Sequence, residues 1–545
     1  MKKWFWMLAA IMVISSVLTG CYGGGNQNSS SGSGSKDSTK GVKQELVLNA
    51  INEPPALDPA MATDTTSGWI LDHTFEGLYT KDKDGKPVLG TAKDVKVSDD
   101  GKTYTFTIRD DAKWSDGSPV TAHDFEYSWK RTMNPETGAQ FAFYMYYIKG
   151  AEDFNKGKGT IDDVGLKATD DHTLVVELNN PLGYFEELLT MWTFYPVKKD
   201  LVEQNENWAG EADGYVSNGP FKMTQWKHDS QVVAEKNENY YDSKKINLKK
   251  VTWKVVNDAT TYYQMYKTGE LDLIQTLPTD VVEQEKSNKE FKNVPYFGTY
   301  MYMFNVSKEP FTNAKVRRAF AMAINREPLT KNVTKAGETP AYAFVPQGVE
   351  TSKGDFREVG GEYFKEDNEE AKKLLQEGMA EEGWSTLPPV TVIYNTSENN
   401  KKISEAVQEM LKKNLGIDVK LANQEWKTYL DTTLQGNFQM ARMGWIGTLL
   451  DPVVILDYYL GDSPNNRSRW VNEEFDSLMA QAKAEQDPDK HFELLHQAED
   501  ILMEELPFIP VYHYTNTYLT SPTVKDVVYP FNRYPNVKWA KKVSE

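Results

Sequence analysis

One cysteine, Cys21, and seven histidines are all the thiol and imidazole donors that 545 residues supply. A lone thiol excludes intramolecular disulfides and thiolate clusters. His73, His123, His172, His228, His491, His496 and His513 form no H-E-x-x-H pair. The spacing of His491 and His496 takes them off a common helical face, so no metal site is expected. A serine elbow (G-x-S-x-G) and a phosphate-cradling G-x-x-x-x-G-K are likewise missing. Positive charge is in short supply: 61 basic residues face 79 acidic ones, for a net charge of −18. Nucleic acid, whose phosphates need a basic face, is not an expected partner. Acidic pairs such as Asp110/Asp111 and Glu381/Glu382 read as solvated surface in so acidic a chain. No catalytic residue, enzyme activity or cofactor is expected.

Long apolar runs are scarce too, with one exception at the start. Lys2 and Lys3 precede the apolar stretch from Trp4 to Leu18, which is too short to span a membrane as a mature helix with its present flanks. Leu18, Thr19, Gly20 and Cys21 then form a lipobox, which makes residues 1–20 a signal peptide and Cys21 the lipidated residue. Lipidation would tether the mature chain to the outer face of the cytoplasmic membrane. Residues 21–43 are rich in Gly, Ser, Asn and Lys, with almost nothing to bury, so they read as a flexible leash. The remaining body, roughly 500 residues, is too long for one ordinary core.

The spacing predicts a strand over Leu46 to Ala50 and a helix within Thr63 to Leu78 that stops at Gly77. Thr103 to Ile108 alternates, with Tyr104, Phe106 and Ile108 on one face of a half-buried strand. Trp114-Ser115-Asp116-Gly117 turns the chain, and Thr121 with Asp124 makes a capping box for a helix carrying Phe125, Tyr127 and Trp129. Val316, Ala319, Phe320, Ala323 and Ile324 share a helical face. So do Ile403, Ala406, Val407, Met410 and Leu411, with Gly416 as the stop and Ile417, Val419 and Leu421 alternating as a strand beyond it. With a strand at Val390 to Tyr394 before it, this is a βαβ unit and part of the sheet is parallel. Helix signals recur from His491 to Leu506, and Phe508 to Tyr514 reads as a returning strand. The stretch Ala441 to Asp451 reads as a buried strand opening into a Gly-punctuated loop closed by Pro452, with Arg442 and Trp445 at its mouth: a ligand-facing edge, or packing and turn chemistry.

The run from Tyr104 through Trp114-Ser115-Asp116-Gly117 and Pro119-Val120-Thr121 to Phe125 and Trp129 resembles the signature region of the large solute-binding proteins of bacterial ABC importers, the peptide-binding family. Further matches follow in order: Phe75-Glu76-Gly77-Leu78, Asn218-Gly219-Pro220-Phe221, Asn239-Tyr240-Tyr241-Asp242, Phe311 to Arg326, Tyr394-Asn395-Thr396-Ser397 and Asn423-Gln424-Glu425-Trp426-Lys427-Thr428. Within the family the likeness is to oligopeptide-binding members. Periodicity alone suggests two α/β bodies. The resemblance implies a periplasmic-binding-protein-like α/β fold of type II with an extra domain, mixed sheets and a hinge between two lobes. One lobe would comprise 44–75, 199–297 and 516–545, with an accessory domain at 76–198 inserted in it. The other would be 298–515, and the chain would cross near Gly298 and Thr515.

The resemblance also implies a way of binding, in which an extended peptide lies between the lobes as an added strand with its side chains in hydrated pockets. The positions carried over are Thr63 and Thr65 in the first lobe and Gly444, Trp445 and Ile446 in the second, with Phe141, Met303, Trp426 and Tyr514 as pocket walls. Arg442 matches an arginine near the ligand carboxylate, with a structural salt bridge as its other reading. Thr433 stands where a second arginine can occur, and Asn400 where a histidine can. Thr448 stands where an aspartate typically pairs with the peptide α-ammonium, and threonine carries no charge. Either another acid compensates, Asp451 or Asp64 being nearest in sequence to the site, or the ligand's amino end is blocked, absent or outside the cleft. The implied function is a monomeric, lipid-anchored receptor delivering oligopeptides to an ABC permease. A cell-wall peptide, peptide pheromone, oligosaccharide or chelated metal remains an alternative cargo on the same fold, and a surface hydrolase or chaperone an alternative class.

Overall fold

The computed structural model describes Thr39 and residues 41–544. Cys21, the leader at residues 1–20 and most of the expected leash lie outside the described residues. Two sheets organise the molecule. An eleven-stranded mixed sheet runs, from one edge to the other, Lys420–Gln424, Thr391–Asn395, Met440–Ile446, Phe291–Phe304, Phe508–Thr520, Leu273–Gln275, Glu45–Asn49, Lys250–Lys254, Gln231–Lys236, Phe221–Lys227, with Thr339–Pro340 added alongside Phe508–Thr520. A separate four-stranded antiparallel sheet orders Ala92–Val97, Thr103–Ile108, Thr173–Glu177 and Leu166–Asp170. Alternation in Thr103–Ile108 puts Tyr104, Phe106 and Ile108 into the core of that sheet.

The large sheet is held together through its middle by two long strands. Phe291–Phe304 pairs antiparallel with Phe508–Thr520 along most of its length, and the register slips between Pro295 and Thr299 and again at Tyr300/Met301. These slips fall beside Gly298, where the chain was expected to cross between lobes. Thr391–Asn395 runs parallel to Lys420–Gln424, and the helix Glu398–Leu415 between them ends on Gly416 at φ +73°, a left-handed cap that glycine adopts at little cost.

Helix starts follow local chemistry. The helix Ala122–Met133 begins on the Thr121/Asp124 capping box. The helix Thr65–Thr74 begins at Asp64, whose side chain accepts from the Thr66 and Ser67 amides, and it ends before Phe75 rather than at Gly77. The cause of the early stop is tertiary. The Gly219 amide donates to Thr74 O at 2.8 Å, and Asn218 accepts from the Glu76 amide at 3.0 Å and donates to its carbonyl at 2.8 Å. Two further stretches quoted for the resemblance meet there. The buried Glu76 carboxylate accepts the Tyr240 and Tyr241 hydroxyls, each at 2.6 Å, and pairs with Lys538 at 2.8 Å. Those motifs are structural knots rather than ligand contacts.

Candidate functional site

The strand Met440–Ile446 is the element that makes a site. On one side it pairs in register with the long central strand, from Phe304↔Met440 to Gly298↔Ile446. On the other, Thr391–Asn395 pairs with it only at Met440 and Ala441. From Arg442 to Ile446 its outer edge therefore has no strand partner among the described residues, leaving backbone groups able to hydrogen-bond another extended chain. The glycines are explained by crowding. A Cβ on Gly444 would lie 2.2 Å from the Tyr514 hydroxyl, one on Gly447 2.5 Å from the Phe297 ring, and one on Gly298 2.4 Å from the Trp445 carbonyl oxygen.

This edge borders a cavity enclosing about 270 Å³. Its walls include Thr63, Thr65, Phe141, Trp426, Arg442, Gly444, Trp445, Ile446, Thr448 and Tyr514, so ten residues inferred from sequence converge on one space. Phe141 and Trp445 meet edge to face with centroids 6.4 Å apart. Met303 is the departure. It is fully buried, does not line the cavity, and takes the Tyr458 hydroxyl on its sulfur at 2.8 Å. In the paired strand Phe291–Phe304 it sits opposite Ala441, beyond the stretch that opens to the cavity.

The walls carry polar atoms that the protein itself leaves unsatisfied. Tyr296 Oη, Arg442 Nε and Arg467 Nε are buried without a hydrogen-bond partner, whereas the Trp426 indole acts on the Asp64 carboxyl and the Thr448 hydroxyl on Tyr144. Buried polar groups are otherwise almost always paired, so such a wall calls for a polar ligand. Arg442 donates to Tyr514 Oη at 2.7 Å and Asn395 Oδ1 at 3.3 Å, and stacks 4.5 Å from the Tyr300 ring centroid. It has no ion pair among the described residues, which removes the structural salt bridge as its explanation.

Of the two acids considered for the missing aspartate, Asp451 is engaged. Its carboxylate meets His491 Nε2 at 3.1 Å and caps the Val453 amide at 2.8 Å. Burial works against the His491 imidazolium, but the hydrogen bond and charge of Asp451 outweigh it and raise its pKa. Asp64 lines the cavity at 7% exposure. Its Oδ1 caps the helix, and its Oδ2 makes no well-aligned hydrogen bond although the Trp426 indole lies close enough to favour the ionised carboxyl. Burial pushes its carboxyl above the usual aspartate range, against the lowering effect of its hydrogen bonds to Ser67 and Thr66. Glu338, also in the wall, accepts from Thr334 Oγ1 at 2.8 Å and the Ala336 amide at 3.0 Å.

Sequence reasoning passed over Arg467, Asn465 and Glu338. Arg467 sits in the polar run Pro464-Asn465-Asn466-Arg467-Ser468, which looks solvated as sequence but is folded inward, with Arg467 only 5% exposed. No periodicity signal marks such a loop. Among the described residues no group of three or more His, Cys, Asp or Glu side chains could hold a metal ion, and no helix is long and apolar enough to cross a membrane.

A sheet whose two long strands carry the chain past an aromatic-walled cavity bordered by a free strand edge defines a ligand-binding protein. The chain belongs to family 5 of the bacterial extracellular solute-binding proteins, whose model matches residues 86–467. It is 43% identical over 540 residues to the oligopeptide-binding protein OppA of Bacillus subtilis (strain 168), covering 97% of this chain and 98% of that one. It is 42% identical over 541 residues to the dipeptide-binding protein DppE of the same strain, covering 99% of each. Among solved structures, the substrate-binding domain of an oligopeptide ABC transporter from Bacillus anthracis str. Ames superposes with a TM-score of 0.90 at 32% identity, over 92% of this chain and 99% of that one. The fold is thus the two-lobed, type II binding-protein fold expected from the sequence.

Proposed function

We propose that this chain is an extracytoplasmic receptor that closes on oligopeptides and delivers them to the permease of an ABC importer. The observation that carries the reading is the unpaired strand edge from Arg442 to Ile446 facing a cavity whose walls hold buried polar atoms without protein partners. A peptide laid there as an extra strand satisfies backbone groups irrespective of its sequence. The guanidinium of Arg442 takes the ligand carboxylate. Asp64 Oδ2 takes the α-ammonium in place of the aspartate that Thr448 replaces. The relatives named for oligopeptide and dipeptide binding support this cargo. The lipobox ending at Cys21 supports anchoring at the outer face of the cytoplasmic membrane, with the receptor acting as a monomer. We assign the lobes to 44–75, 199–297 and 516–545 on one side and 298–515 on the other, with 76–198 as the accessory domain.

A second reading follows from Thr448, whose hydroxyl carries no charge. A cell-wall peptide attached through its amino end would need no acid there. Calorimetric titration of one peptide in free and N-acetylated forms separates the two. If acetylation abolishes binding, Asp64 holds a free ammonium and the cargo is an ordinary oligopeptide. Equal binding of both forms moves the cargo to peptides with blocked amino ends, and binding of neither overturns the oligopeptide reading.

A further inference from the structure

The buried arginines of this molecule differ in what answers their charge. Where the fold buries a guanidinium for its own sake, it supplies the counter-charge: Arg357 meets Glu499 at 2.8 Å, Arg533 meets Asp72 at 2.9 Å and Arg131 meets Asp58 at 2.6 Å. Arg326, which is fully buried, is caged by the carbonyls of Ala321, Ile324, Ala341 and Pro510 and has Glu366 at 3.9 Å from Nη1. Two cavity-lining arginines, Arg442 and Arg467, have no carboxylate within ion-pair range among the described residues. Arg467 is 5% exposed, and Nη1 donates to Thr433 Oγ1 at 2.6 Å and, weakly, to Leu430 O at 3.4 Å. Its Nε is buried and unpartnered. Asp431 and Arg469 act on it only from a distance, with opposite signs. Burying a guanidinium without a partner is costly, and a fold retains it at a cavity wall when something else brings the anion.

Both arginines are organised by one helix, Trp426–Leu434. Tyr429 of that helix donates its hydroxyl to the Arg442 carbonyl, and its own carbonyl accepts Thr433 Oγ1 at 3.0 Å, the oxygen that Arg467 holds from the other side. Thr433 is the position where the resemblance allows a second arginine. Here a guanidinium is supplied to the same place by Arg467, from the loop that follows Tyr459.

We propose that Arg442 and Arg467 together form a two-guanidinium anion subsite, and that the best-held ligands carry a second carboxylate, on a side chain at the end whose terminal carboxylate meets Arg442. The inference rests on the peptide reading above and adds a selectivity for acidic residues at the ligand's carboxyl end.

The test is calorimetric titration of Ala-Ala-Glu and Ala-Ala-Gln into the full protein, its Arg467→Met variant and its Arg467→Lys variant, with thermal melts of each. A charge-assisted hydrogen bond in place of a neutral one gives the glutamate peptide an advantage of about tenfold in the parent protein. Arg467→Met removes that advantage, weakening Ala-Ala-Glu by more than it weakens Ala-Ala-Gln, and Arg467→Lys, which keeps a point charge without the fork, retains part of it. Equal affinities for the two peptides in the parent protein overturn the proposal, and so does an advantage that survives undiminished in Arg467→Met. If Arg467→Met does not fold, the parent ratio and its reduction in Arg467→Lys decide, an unreduced ratio counting against the subsite. Failure of both peptides to bind the parent protein overturns the peptide reading itself, and the subsite falls with it.

Discussion

Gly444 shows how tightly the ligand-facing strand is fitted. A methyl there would sit 2.2 Å from the Tyr514 hydroxyl, which itself accepts from Arg442 at 2.7 Å. Gly444→Ala must push Tyr514 off Arg442 or move the strand. Overpacking of this kind costs about 1–3 kcal/mol. Thermal unfolding should show that loss, and titration with peptide should show binding weakened by about tenfold or more, since the same shift spoils the strand edge. Asp64 yields a pH prediction. Its folded-state carboxyl titrates above the unfolded value because of burial, so between the two values the folded chain binds more protons and its stability falls as pH rises. An α-ammonium needs the ionised form. Affinity for a free-amine peptide should therefore climb as pH rises through the raised titration range of Asp64, and Asp64→Asn should weaken binding at neutral pH and flatten that rise.

Ten of the positions carried over from the family resemblance line one cavity, because residue-by-residue matching needs no knowledge of burial. What was not legible depended on burial. Arg467 looks like a solvated loop arginine until the loop is folded inward, and Met303 looks like a wall residue until its strand register turns it into the core beneath Tyr458. The missing charge at Thr448 is plain in the sequence, but only the structure shows Asp451 occupied by His491 and Asp64 buried in the cavity wall beside Trp426.

At the scale of elements, local signals placed starts better than ends. The caps at Thr121 and Gly416 are chemical and sit where the sequence puts them. Ends set by tertiary contacts moved: the first helix stops short where Asn218 and Gly219 grip its last turn, and the strand from Phe508 runs on through polar Thr515, Asn516 and Thr517 to Thr520 because Phe291–Phe304 and Leu273–Gln275 offer it partners. The helix Pro488–Glu505 is pinned by one buried group. Glu499, fully buried, accepts the Phe344 and Val345 amides at 3.0 and 2.8 Å and both bonds from Arg357 Nη1. Glu499→Ala strands the Arg357 charge, and breaking a buried pair by removing one partner costs about 3–5 kcal/mol. Chemical denaturation should show a loss of that size with little change in m-value, whereas a loss below about 1 kcal/mol would mean that water replaces the carboxylate.

For the whole molecule, function depends on how the two sides of the cavity are held together. Among the described residues several of the ties that cross it are polar, beside the Phe141–Trp445 ring contact. Lys402 meets Asp280 at 2.5 Å, Asn399 Nδ2 donates to Leu277 O at 3.2 Å, Asn532 Nδ2 donates to Thr448 O at 2.5 Å, and Lys156 bridges to Asp462. The Lys402–Asp280 pair involves half-open to exposed side chains, a class worth only about 0–1 kcal/mol. Ties this weak cannot hold an unliganded molecule shut, and a ligand gripping both sides supplies the difference in free energy between open and closed forms. Small-angle scattering should therefore show compaction when a bound peptide is added to stripped protein, and identical curves would argue against closure. Asp280→Ala removes a tie that touches no ligand. Because apparent affinity is scaled by the fraction of closed-competent molecules, this change should weaken peptide binding by no more than about fivefold, acting on the closing equilibrium while the pattern of preference among peptides stays as in the parent. A change in that pattern would place Asp280 in the site itself rather than in the closing equilibrium.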